Sequence, residues 1–246
     1  MDENILKQNN LTSFEKLWAL KPEWVEPPNK RRGGMSGVSR HVLYDHKNQP
    51  IPVYIKRHEN HCHKTWRHPF KGEMTLKREY KNLQRCARVG IPVVESLYFG
   101  LYEDKQSRRG LLVTKGLDDY LCLDEAVKKV NLKERKNIIK SVAETAKALH
   151  KKGWQHGCFH GDHIFVRCEP ISEKITLRII DLEMLRWRGV RAKLKDIYAL
   201  HRNTPGWRKT DRLLFLKSYW QCNKLGLKHK RFLAKLKKRY ARKIKK

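Results

Sequence analysis

Acidic residues are scarce in this 246-residue sequence: 25 Asp and Glu stand against 56 Lys and Arg, which gives a formal net charge of +31. The sequence also lacks an uncharged apolar run long enough to span a bilayer, which argues against a membrane-spanning helix. Its six cysteines include no C-x-x-C pair, and the polar start at residues 1–4 lacks the apolar stretch of a signal peptide. We therefore expect a soluble protein with free thiols in a reducing cytosol.

The excess of positive charge indicates which kinds of molecule the protein binds. An imbalance of this size costs stability through self-repulsion and favours polyanions, which include nucleic acid, anionic membrane and phosphorylated glycolipid. Charge alone does not choose among them. With 39% hydrophobic residues and seven Trp, the chain has enough apolar side chains for a folded core. Its length suits one large domain or two small lobes.

The residue pattern changes near position 117. Before it, strands are predicted at 42–44, 51–56, 93–101 and 110–113, together with a glycine-rich turn at 31–40, a His-rich loop at 57–72 and one helix at 74–87. Beyond it, helical spacing predominates at 132–152, 194–200, 211–225 and 227–244. We therefore predict an α+β protein with two lobes, strand-rich at 1–116 and helical at 117–246.

A polar segment of the second lobe surrounds a predicted β-hairpin. Two short apolar runs, at 164–166 and 175–180, flank a turn in the manner of hairpin strands. His163 directly precedes the first run and Asp181 directly follows the second. Antiparallel pairing would bring these two residues side by side, where two ligands can share one metal ion.

In the first lobe, Lys56 lies on a predicted strand and Glu79 on the helix that follows. In phosphoryl transfer, a strand lysine binds nucleotide phosphates and a helical glutamate holds that lysine in place. Glycines before such a strand let backbone N–H groups approach phosphate oxygens without a Cβ clash. The residues assigned to this role are Gly33, Gly34, Ser36 and Gly37. Each signal alone is also typical of a surface lysine or an ordinary turn; their order along the chain favours a kinase.

Several motifs in this order resemble one known family. They are Arg32-Gly33-Gly34-Met35-Ser36-Gly37-Val38, Tyr54-Ile55-Lys56-Arg57, residues 60–72, Leu76-Lys77-Arg78-Glu79, Gly90-Ile91-Pro92, residues 156–166, Ile180-Asp181-Leu182, Lys195-Asp196-Ile197 and residues 211–219. Together they resemble the lipopolysaccharide kinase family of the InaA/WaaP type, a bacterial branch of the protein-kinase-like fold. The resemblance covers about residues 30–220, and the InaA-like branch fits best.

The resemblance implies an ATP-dependent, Mg²⁺-dependent kinase that phosphorylates a sugar hydroxyl, of heptose or Kdo, in the lipopolysaccharide inner core. It implies that Lys56 contacts the phosphates of ATP, that Glu79 supports Lys56, and that Asp181 binds Mg²⁺. His163 falls where protein kinases carry a second metal-binding asparagine. Because magnesium prefers oxygen ligands, we expect this histidine to bind it weakly or to orient a water or phosphate.

The sequence departs from the kinase pattern at the catalytic base. In the His-x-Asp pattern the Asp accepts the proton of the acceptor hydroxyl; if His156 is that His, the Asp position holds Cys158. An unperturbed thiol, with a pKa of about 8.5, is a poor general base. A second register starts at His160 and places Arg167 at the metal position, beyond the strand, so the first is favoured. The candidate catalytic residues are His156, Cys158 and Asp162, which lies on the same loop.

The His-rich loop invites a zinc interpretation. It contains His58, His61, Cys62, His63 and His68. Zinc sites usually draw paired ligands from two elements, whereas all five of these residues belong to one loop. We therefore favour a basic, mobile loop near the nucleotide or the acceptor.

The C-terminal helix, predicted at 227–244, is basic and amphipathic. Its apolar positions are Phe232, Leu236, Tyr240 and Ile244. We expect this apolar face to pack on the helical lobe. Its Lys and Arg residues would still be attracted to an anionic membrane, by about 1 kcal/mol per basic residue near the surface.

These observations predict a monomeric kinase in the cytoplasm, peripheral to the inner face of the cytoplasmic membrane. Its partners would be the lipopolysaccharide core and lipid A, with no specific nucleic acid. Three alternatives stay open: a pseudokinase, a non-catalytic protein that binds polyanions or membrane, and a kinase acting on protein or another small hydroxyl compound.

Overall fold

The computed structural model describes residues 3–31, 34–66, 68–169 and 174–244. The chain forms two compact units, of which the first comprises Met1–Val89 and Val93–Asp118, and the second Gly90–Pro92 and Asp119–Lys246. Overall the structure is 43% helical and 27% strand. Strands predominate in the first unit and helices in the second, as the residue pattern predicts.

The first unit is built on a twisted antiparallel sheet. Its strands are β1 (Glu23–Trp24), β2 (Asn29–Arg31), β3 (Gly34–Tyr44), β4 (Pro50–Glu59), β5 (Cys62–His63), β6 (Glu73–Met74), β7 (Ser96–Glu103) and β8 (Arg108–Lys115), and its helices are α1 (Glu3–Gln8), α2 (Phe14–Ala19) and α3 (Thr75–Arg88). The sheet order is β1-β3-β4-β8-β7, with β2 also paired to β3, while β5 and β6 form a separate hairpin.

Alternation along β4 separates the two faces of this sheet. Val53 and Ile55 are buried in a core with residues of α1 and α2. The members of that core are Ile5, Leu6, Leu17, Leu43, Val53, Ile55, Leu97, Leu111 and Val113. Because side chains alternate along a strand, Tyr54 and Lys56 lie on the opposite face, as expected from the sequence.

A buried arginine joins the sheet to α2. Arg57 follows Val53 and Ile55 on the core side of β4, and its guanidinium donates hydrogen bonds to the carbonyl oxygens of Leu17 and Leu20, at 3.2 and 3.0 Å. These carbonyls lie in the last turn of α2, where the helix offers them no partner. The same guanidinium lies 5.9 Å from the ring centroid of Trp24. Arg57 therefore fixes both α2 and the segment that follows it.

The glycine-rich segment corrects one expectation. Gly34 and Gly37 lie within strand β3 rather than in a turn, and residues 32–33 lie outside the described residues. A Cβ on Gly34 would come within 2.7 Å of the Asn60 carbonyl oxygen, and one on Gly37 within 2.5 Å of the Trp24 ring. The glycines therefore serve close packing. The His-rich loop likewise begins later than expected, because β4 continues to Glu59.

The second unit contains most of the helices. These are α4 (Leu123–Lys129), α5 (Leu132–Lys151), α6 (Ala192–Arg202), α7 (Lys209–Trp220) and α8 (Leu227–Ile244). Its strands are β9 (Leu121–Cys122), β10 (Trp154–Gln155), β11 (Ile164–Cys168), β12 (Ile175–Ile179) and β13 (Arg186–Trp187), with 3-10 turns at Gly161–His163, Leu182–Met184 and Gly189–Arg191. The expected hairpin is present: β11 pairs with β12, from Ile164 opposite Ile179 to Cys168 opposite Ile175.

The apolar face of α8 packs inside the second unit over its described part. Leu236 is buried, and Phe232 packs edge-on against Trp220 with ring centroids 5.5 Å apart. The side chains of Tyr240 and Ile244 lie outside the described ones. No described helix of the chain is both long and apolar enough to cross a membrane.

A buried ion pair joins α5 to α7. Arg135 Nε lies 3.1 Å from Asp211 Oδ2, and the same guanidinium donates to the carbonyl oxygens of Val127 and of Gly206, the latter at 2.7 Å. Asp211 also accepts the backbone N–H of Arg208 at 2.8 Å, which caps the start of α7. Removing one charge would leave the other buried without its partner.

We predict that Asp211→Asn lowers the free energy of unfolding by about 3 kcal/mol or more, because it leaves the Arg135 charge buried and unpaired. The matched control is Asp119→Asn, in which the lost partner is the exposed ion pair with Arg167. That change should cost less than about 1 kcal/mol. Urea unfolding followed by circular dichroism measures both. Equal losses in the two variants would contradict the role given to the buried pair.

Candidate active site

The first unit places Lys56 and Glu79 in direct contact. Lys56 Nζ lies 2.7 Å from Glu79 Oε2, and both side chains are largely buried. Lys56 projects from the middle of β4, opposite Val38 on β3 and Leu112 on β8. Glu79 belongs to the buried stripe of α3 with Leu76 and Leu83. The pair therefore holds an ammonium group at a fixed place on the sheet face that points away from the core of α1 and α2.

Of the glycine-rich residues assigned to the nucleotide, Gly34, Ser36 and Gly37 lie in the first part of β3, the strand that pairs with β4. Ser36 Oγ is 3.0 Å from His58 Nε2, and His58 is fully buried. Gly34 and Gly37 pack against Asn60 and Trp24, as described above. Gly33 lies outside the described residues. A contact of Gly34, Ser36 and Gly37 with nucleotide phosphates stays a prediction.

The second unit brings His163 and Asp181 together at the open end of the β11–β12 hairpin. His163 Nδ1 lies 4.0 Å from Asp181 Oδ2 and 2.9 Å from the carbonyl oxygen of Cys158. Because a carbonyl only accepts, Nδ1 carries the proton and donates it to Cys158. The lone pair of Nε2 is then left for a ligand, which is the usual arrangement of metal-binding histidines.

The backbone at Asp181 is unusual. Its φ is +57°, in the left-handed region that few residues other than glycine adopt. Aspartate tolerates this region better than most residues, and such conformations concentrate at functional sites. The carboxylate of Asp181 and the imidazole of His163 form a mixed oxygen and nitrogen donor set. Such a set fits a divalent cation, although magnesium favours oxygen ligands more strongly than manganese does.

Asp196 fixes the loop that precedes the hairpin. Its fully buried carboxylate accepts the backbone N–H of His156 at 2.7 Å and that of Gly157 at 2.9 Å. His150 Nε2 lies 3.1 Å from the same carboxylate and donates to it, while His150 Nδ1 accepts from the Tyr219 hydroxyl at 2.9 Å. The sequence motif contained Asp196 without giving it a role. The sequence did offer one indication of such a role, because Asp196 is an acidic residue on the apolar face of a predicted helix.

The His156 side chain ties this loop to the strand that leads to Asp181. Its Nε2 donates to the carbonyl oxygen of Ile180 at 3.1 Å, and its Nδ1 accepts the backbone N–H of Cys158 at 3.3 Å. Complete burial lowers the pKa of His156 to about 4, so the ring is neutral at pH 7. In this geometry both ring nitrogens have backbone partners, which makes His156 a positioning residue.

Cys158 and Asp162 differ in the chemistry that they offer. Burial raises the pKa of the half-buried Cys158 thiol, and the nearby charge of Asp181 raises it further, so the thiol stays protonated at pH 7. The side chain of Asp162 is 68% exposed, and its Oδ1 lies 2.6 Å from His160 Nδ1. Partial burial raises the pKa of Asp162, but the hydrogen bond from His160, a backbone hydrogen bond and the nearby His160 and His163 together outweigh it, and the net pKa is lowered. Asp162 is therefore a carboxylate at neutral pH.

The surroundings of Arg167 bear on the choice of register. In the alternative register Arg167 occupies the second metal position, but its guanidinium pairs with Asp119 at 2.5 Å and Glu169 at 3.4 Å. It also lies 5.2 Å from the ring centroid of Tyr120. A cation engaged in this way cannot ligate a metal, whereas His163 in the first register lies beside Asp181. The geometry favours the first register, with Cys158 at the position of the base.

The histidines of the loop after β4 have contacts of their own. The His58 and His61 rings meet edge to face with centroids 4.7 Å apart, and Cys62 Sγ lies 3.3 Å from an Arg108 nitrogen. Within the described part of the chain, no group of three metal-capable side chains includes a residue of this loop. In the second unit His160, Asp162 and His163 do form such a group, with ligand atoms within 4.8 Å of one another.

Comparisons with known proteins bear on the fold and on the family of the chain. The solved structure of WaaP in complex with acyl carrier protein matches with a TM-score of 0.68 and 16% identity, covering 98% of this chain and 97% of that chain. At this level of identity the match concerns the fold, and it confirms the prediction of a kinase-like α+β fold. Protein InaA of Escherichia coli (strain K12) is 32% identical over 185 residues, which are 73% of this chain and 82% of that protein.

A family model gives the broadest match. It is described as the lipopolysaccharide kinase (Kdo/WaaP) family and covers residues 15–219, a range that contains Lys56, Glu79 and the loop and hairpin of the second unit. The resemblance inferred from the motifs is thereby confirmed. The chain belongs to the lipopolysaccharide kinase (Kdo/WaaP) family.

Proposed function

We propose that this protein transfers the γ-phosphate of ATP to a sugar hydroxyl, of heptose or Kdo, in the lipopolysaccharide inner core, with Mg²⁺ as the metal. The observation that carries the proposal is the 2.7 Å contact between Lys56 and Glu79 on a strand and a helix of a kinase-family fold. In phosphoryl transfer a strand lysine held by a helical glutamate binds the nucleotide phosphates, and this pair has that arrangement. Family membership supports a kinase, and the acceptor is the part that experiment must establish.

Lys56 would bind ATP phosphates, and Glu79 would keep its ammonium group in place. Phosphoryl transfer depends mainly on positioning and on stabilising negative charge, because the transferred group spreads its charge over three oxygens. Glu79 is nearly inaccessible to water, so the Lys56 Nζ has little freedom to move away. The pair thereby provides an organised positive charge before the nucleotide arrives.

Asp181 and His163 would hold the metal, which supplies positive charge to the phosphate oxygens when bound. The hydrogen bond from His163 Nδ1 to Cys158 orients the imidazole so that Nε2 is left for the cation or for a water bound to it. The left-handed backbone of Asp181 follows shortly after β12, which ends at Ile179. These features support the proposal that both donors are positioned before the metal binds.

Asp162 would accept the proton of the acceptor hydroxyl. It is ionised at neutral pH, exposed, and on the same short loop as His163, whereas the Cys158 thiol is protonated. A carboxylate of low pKa is a weak base, and a general base typically contributes about 10²–10⁴-fold. The proposed enzyme would therefore depend more on Lys56 and the metal ligands than on proton abstraction.

The acceptor suggests where the protein works. A lipopolysaccharide precursor carries lipid A, and the net charge of +31 would attract the protein to its phosphates and to anionic lipids. We propose that the protein acts as a monomer at the inner face of the cytoplasmic membrane. Neither a membrane span nor specific binding to nucleic acid is needed for this location.

One observation favours a second candidate, a pseudokinase that binds nucleotide or polyanion without transferring phosphate. The base position holds Cys158, whose raised pKa makes it a poor proton acceptor. A kinase acting on protein or on another small hydroxyl compound is a further variant of the main proposal. Incubating the purified protein with Mg-ATP and core oligosaccharides tests all of these: the main proposal predicts an acceptor heavier by one phosphate.

We predict that Lys56→Met weakens ATP binding by about tenfold or more and reduces phosphate transfer by at least about 10²-fold, because it removes the charge that faces the phosphates. Titration calorimetry measures binding, and mass spectrometry of the acceptor measures transfer. Lys115→Met, at an exposed position at the end of β8, is the matched control and should behave as wild type. Wild-type ATP affinity in the Lys56 variant would refute the assigned role.

For the metal ligand, Asp181→Asn should reduce phosphate transfer by at least about 10²-fold, because it removes the anionic oxygen ligand of the metal. The Asp119→Asn variant serves again as a control, since Asp119 pairs only at the surface with Arg167. Unchanged circular dichroism would show that both variants fold. A fully active Asp181→Asn protein, at the same magnesium concentration, would overturn the assignment.

The base can be identified from a pH profile. A general base must be deprotonated, so the rate rises with pH through its pKa and is level above it. The lowered pKa of Asp162 therefore predicts a level rate between about pH 6 and pH 8.5, whereas the raised pKa of Cys158 would make the rate climb across that range. We expect the level profile, a fall of about 10²-fold or more in Asp162→Asn, and near wild-type rates in Cys158→Ser. A rate that climbs with pH in wild type but not in Cys158→Ser would assign the base to Cys158.

A further inference from the structure

One turn of the second unit exposes apolar and cationic side chains together. It comprises Arg186–Arg191 and is called here the arginine–tryptophan turn. Trp187 is 73% exposed and Val190 is 89% exposed, and both belong to the large apolar side chains that the described structure leaves in water. Arg186, Arg188 and Arg191 are also exposed. None of the roles proposed above for ATP, metal or base uses this turn.

The backbone holds the arginine–tryptophan turn in one conformation. β13 pairs with β10, with Trp187 opposite Trp154. The backbone N–H groups of Arg188 and Gly189 both donate to the carbonyl oxygen of Gly153, at 2.7 and 3.1 Å. A Cβ on Gly153 would lie 2.7 Å from Trp187 Nε1, so the missing side chain gives the indole room over the end of α5. Trp187 is therefore presented by the fold, at little further entropic cost on binding.

Further positive charge adjoins the turn. Lys151 and Lys152 are exposed at the end of α5 and directly precede Gly153, to which the turn is bonded. With the three arginines, this gives five cations around two exposed apolar side chains. None of the five forms an ion pair with a residue that the structure describes. Their charge is thus available to an anionic partner.

Among the described side chains, the basic helix α8 exposes one large apolar group, Leu227 at 66%, whereas the turn exposes two. Phe232 and Leu236 of α8 pack inside the unit, and Lys193 Nζ lies 5.9 Å from the Phe232 ring centroid. In the first unit Trp66 and Phe70 are as exposed as Trp187, at 85% and 90%. They lie on either side of residue 67, which is outside the described residues. They serve as a comparison because they are exposed apolar side chains that do not belong to the arginine–tryptophan turn.

We propose that the arginine–tryptophan turn docks on an anionic phospholipid surface, with Trp187 and Val190 among the headgroups and the five cations on lipid phosphates. Tryptophan favours the boundary between water and lipid, and arginine binds phosphate oxygens with two parallel hydrogen bonds. Val190 argues for lipid over nucleic acid, because an aliphatic side chain gains little from stacked bases but gains from leaving water. The inference rests on the proposed membrane association and names the surface that makes it.

The position of the turn in the chain links docking to the proposed reaction. Arg186 follows Asp181 by five residues, which span at most about 18 Å even when fully extended. Docking the turn would therefore keep the candidate metal ligand close to the headgroups. An acceptor anchored by lipid A would present its sugars at that depth.

The test is flotation of the full-length protein with vesicles, without ATP or acceptor. Wild type should bind vesicles of phosphatidylglycerol and phosphatidylethanolamine and should not bind vesicles of phosphatidylcholine alone. The double substitution Trp187→Ser with Val190→Ser should weaken binding to the anionic vesicles by about tenfold, because it removes the inserted apolar surface. The triple substitution of Arg186, Arg188 and Arg191 to Gln should weaken binding and reduce its dependence on salt.

The control is Trp66→Ser with Phe70→Ser, which removes two equally exposed apolar side chains and should bind as wild type. Circular dichroism checks that each variant is folded. Unchanged vesicle binding by the Trp187/Val190 variant would overturn the proposed surface, and so would an equal loss of affinity for a single-stranded RNA probe. Failure of wild type to bind anionic vesicles would overturn the membrane association itself. The ATP-binding and pH-profile experiments do not depend on either outcome.

Discussion

The candidate site of the second unit depends on the buried carboxylate of Asp196. It accepts two consecutive backbone N–H groups, from His156 and Gly157, that no helix or strand satisfies. With the loop fixed, the His156 ring reaches the Ile180 carbonyl, and Asp181 follows directly. Without Asp196, two buried donors would lose their acceptor, at a cost of about 1–3 kcal/mol each. Asp196 thus helps to fix the position of Asp181, the proposed metal ligand, through the His156 loop. We assign Asp196 no part in the proposed chemistry itself.

Because acidic residues are scarce in this chain, the few buried carboxylates matter more to the structure. With 56 basic and 25 acidic residues, most cations have no carboxylate to pair with, and the buried acids lie where position matters most. Glu79 holds Lys56, Asp196 holds the loop, and Asp211 joins α5 to α7 through Arg135. Apart from the buried Arg57, most of the other described cations lie at the surface, which favours association with polyanions while raising the cost of self-repulsion in the folded state. The proposed binding of phosphates at the surface and the small set of buried acids both follow from this composition.

The sequence predicts those features of the fold that side-chain periodicity records. Two apolar runs around a turn gave the hairpin and placed His163 beside Asp181, and the alternation in β4 put Lys56 on the face away from the core. Two features do not appear in periodicity. The sequence predicted a turn at Gly34 and Gly37, because glycines often mark turns. Here glycine is needed for close tertiary contact with Asn60 and Trp24, which the sequence pattern does not record. Asp196 had no assigned role because its partners are backbone N–H groups, which every residue carries.

The cysteine at the base position is compatible with phosphoryl transfer for a physical reason. A general base assists only the removal of one proton, whereas the barrier is governed by the charge and alignment of the phosphoryl group. Burial and the neighbouring Asp181 keep Cys158 protonated, so it does not add a second negative charge beside the metal ligand. Its backbone carbonyl accepts a hydrogen bond from His163 Nδ1, which leaves Nε2 of that ring for the proposed metal. In the proposed mechanism Cys158 therefore contributes through its backbone, and proton transfer falls to Asp162, the ionised residue of the same loop.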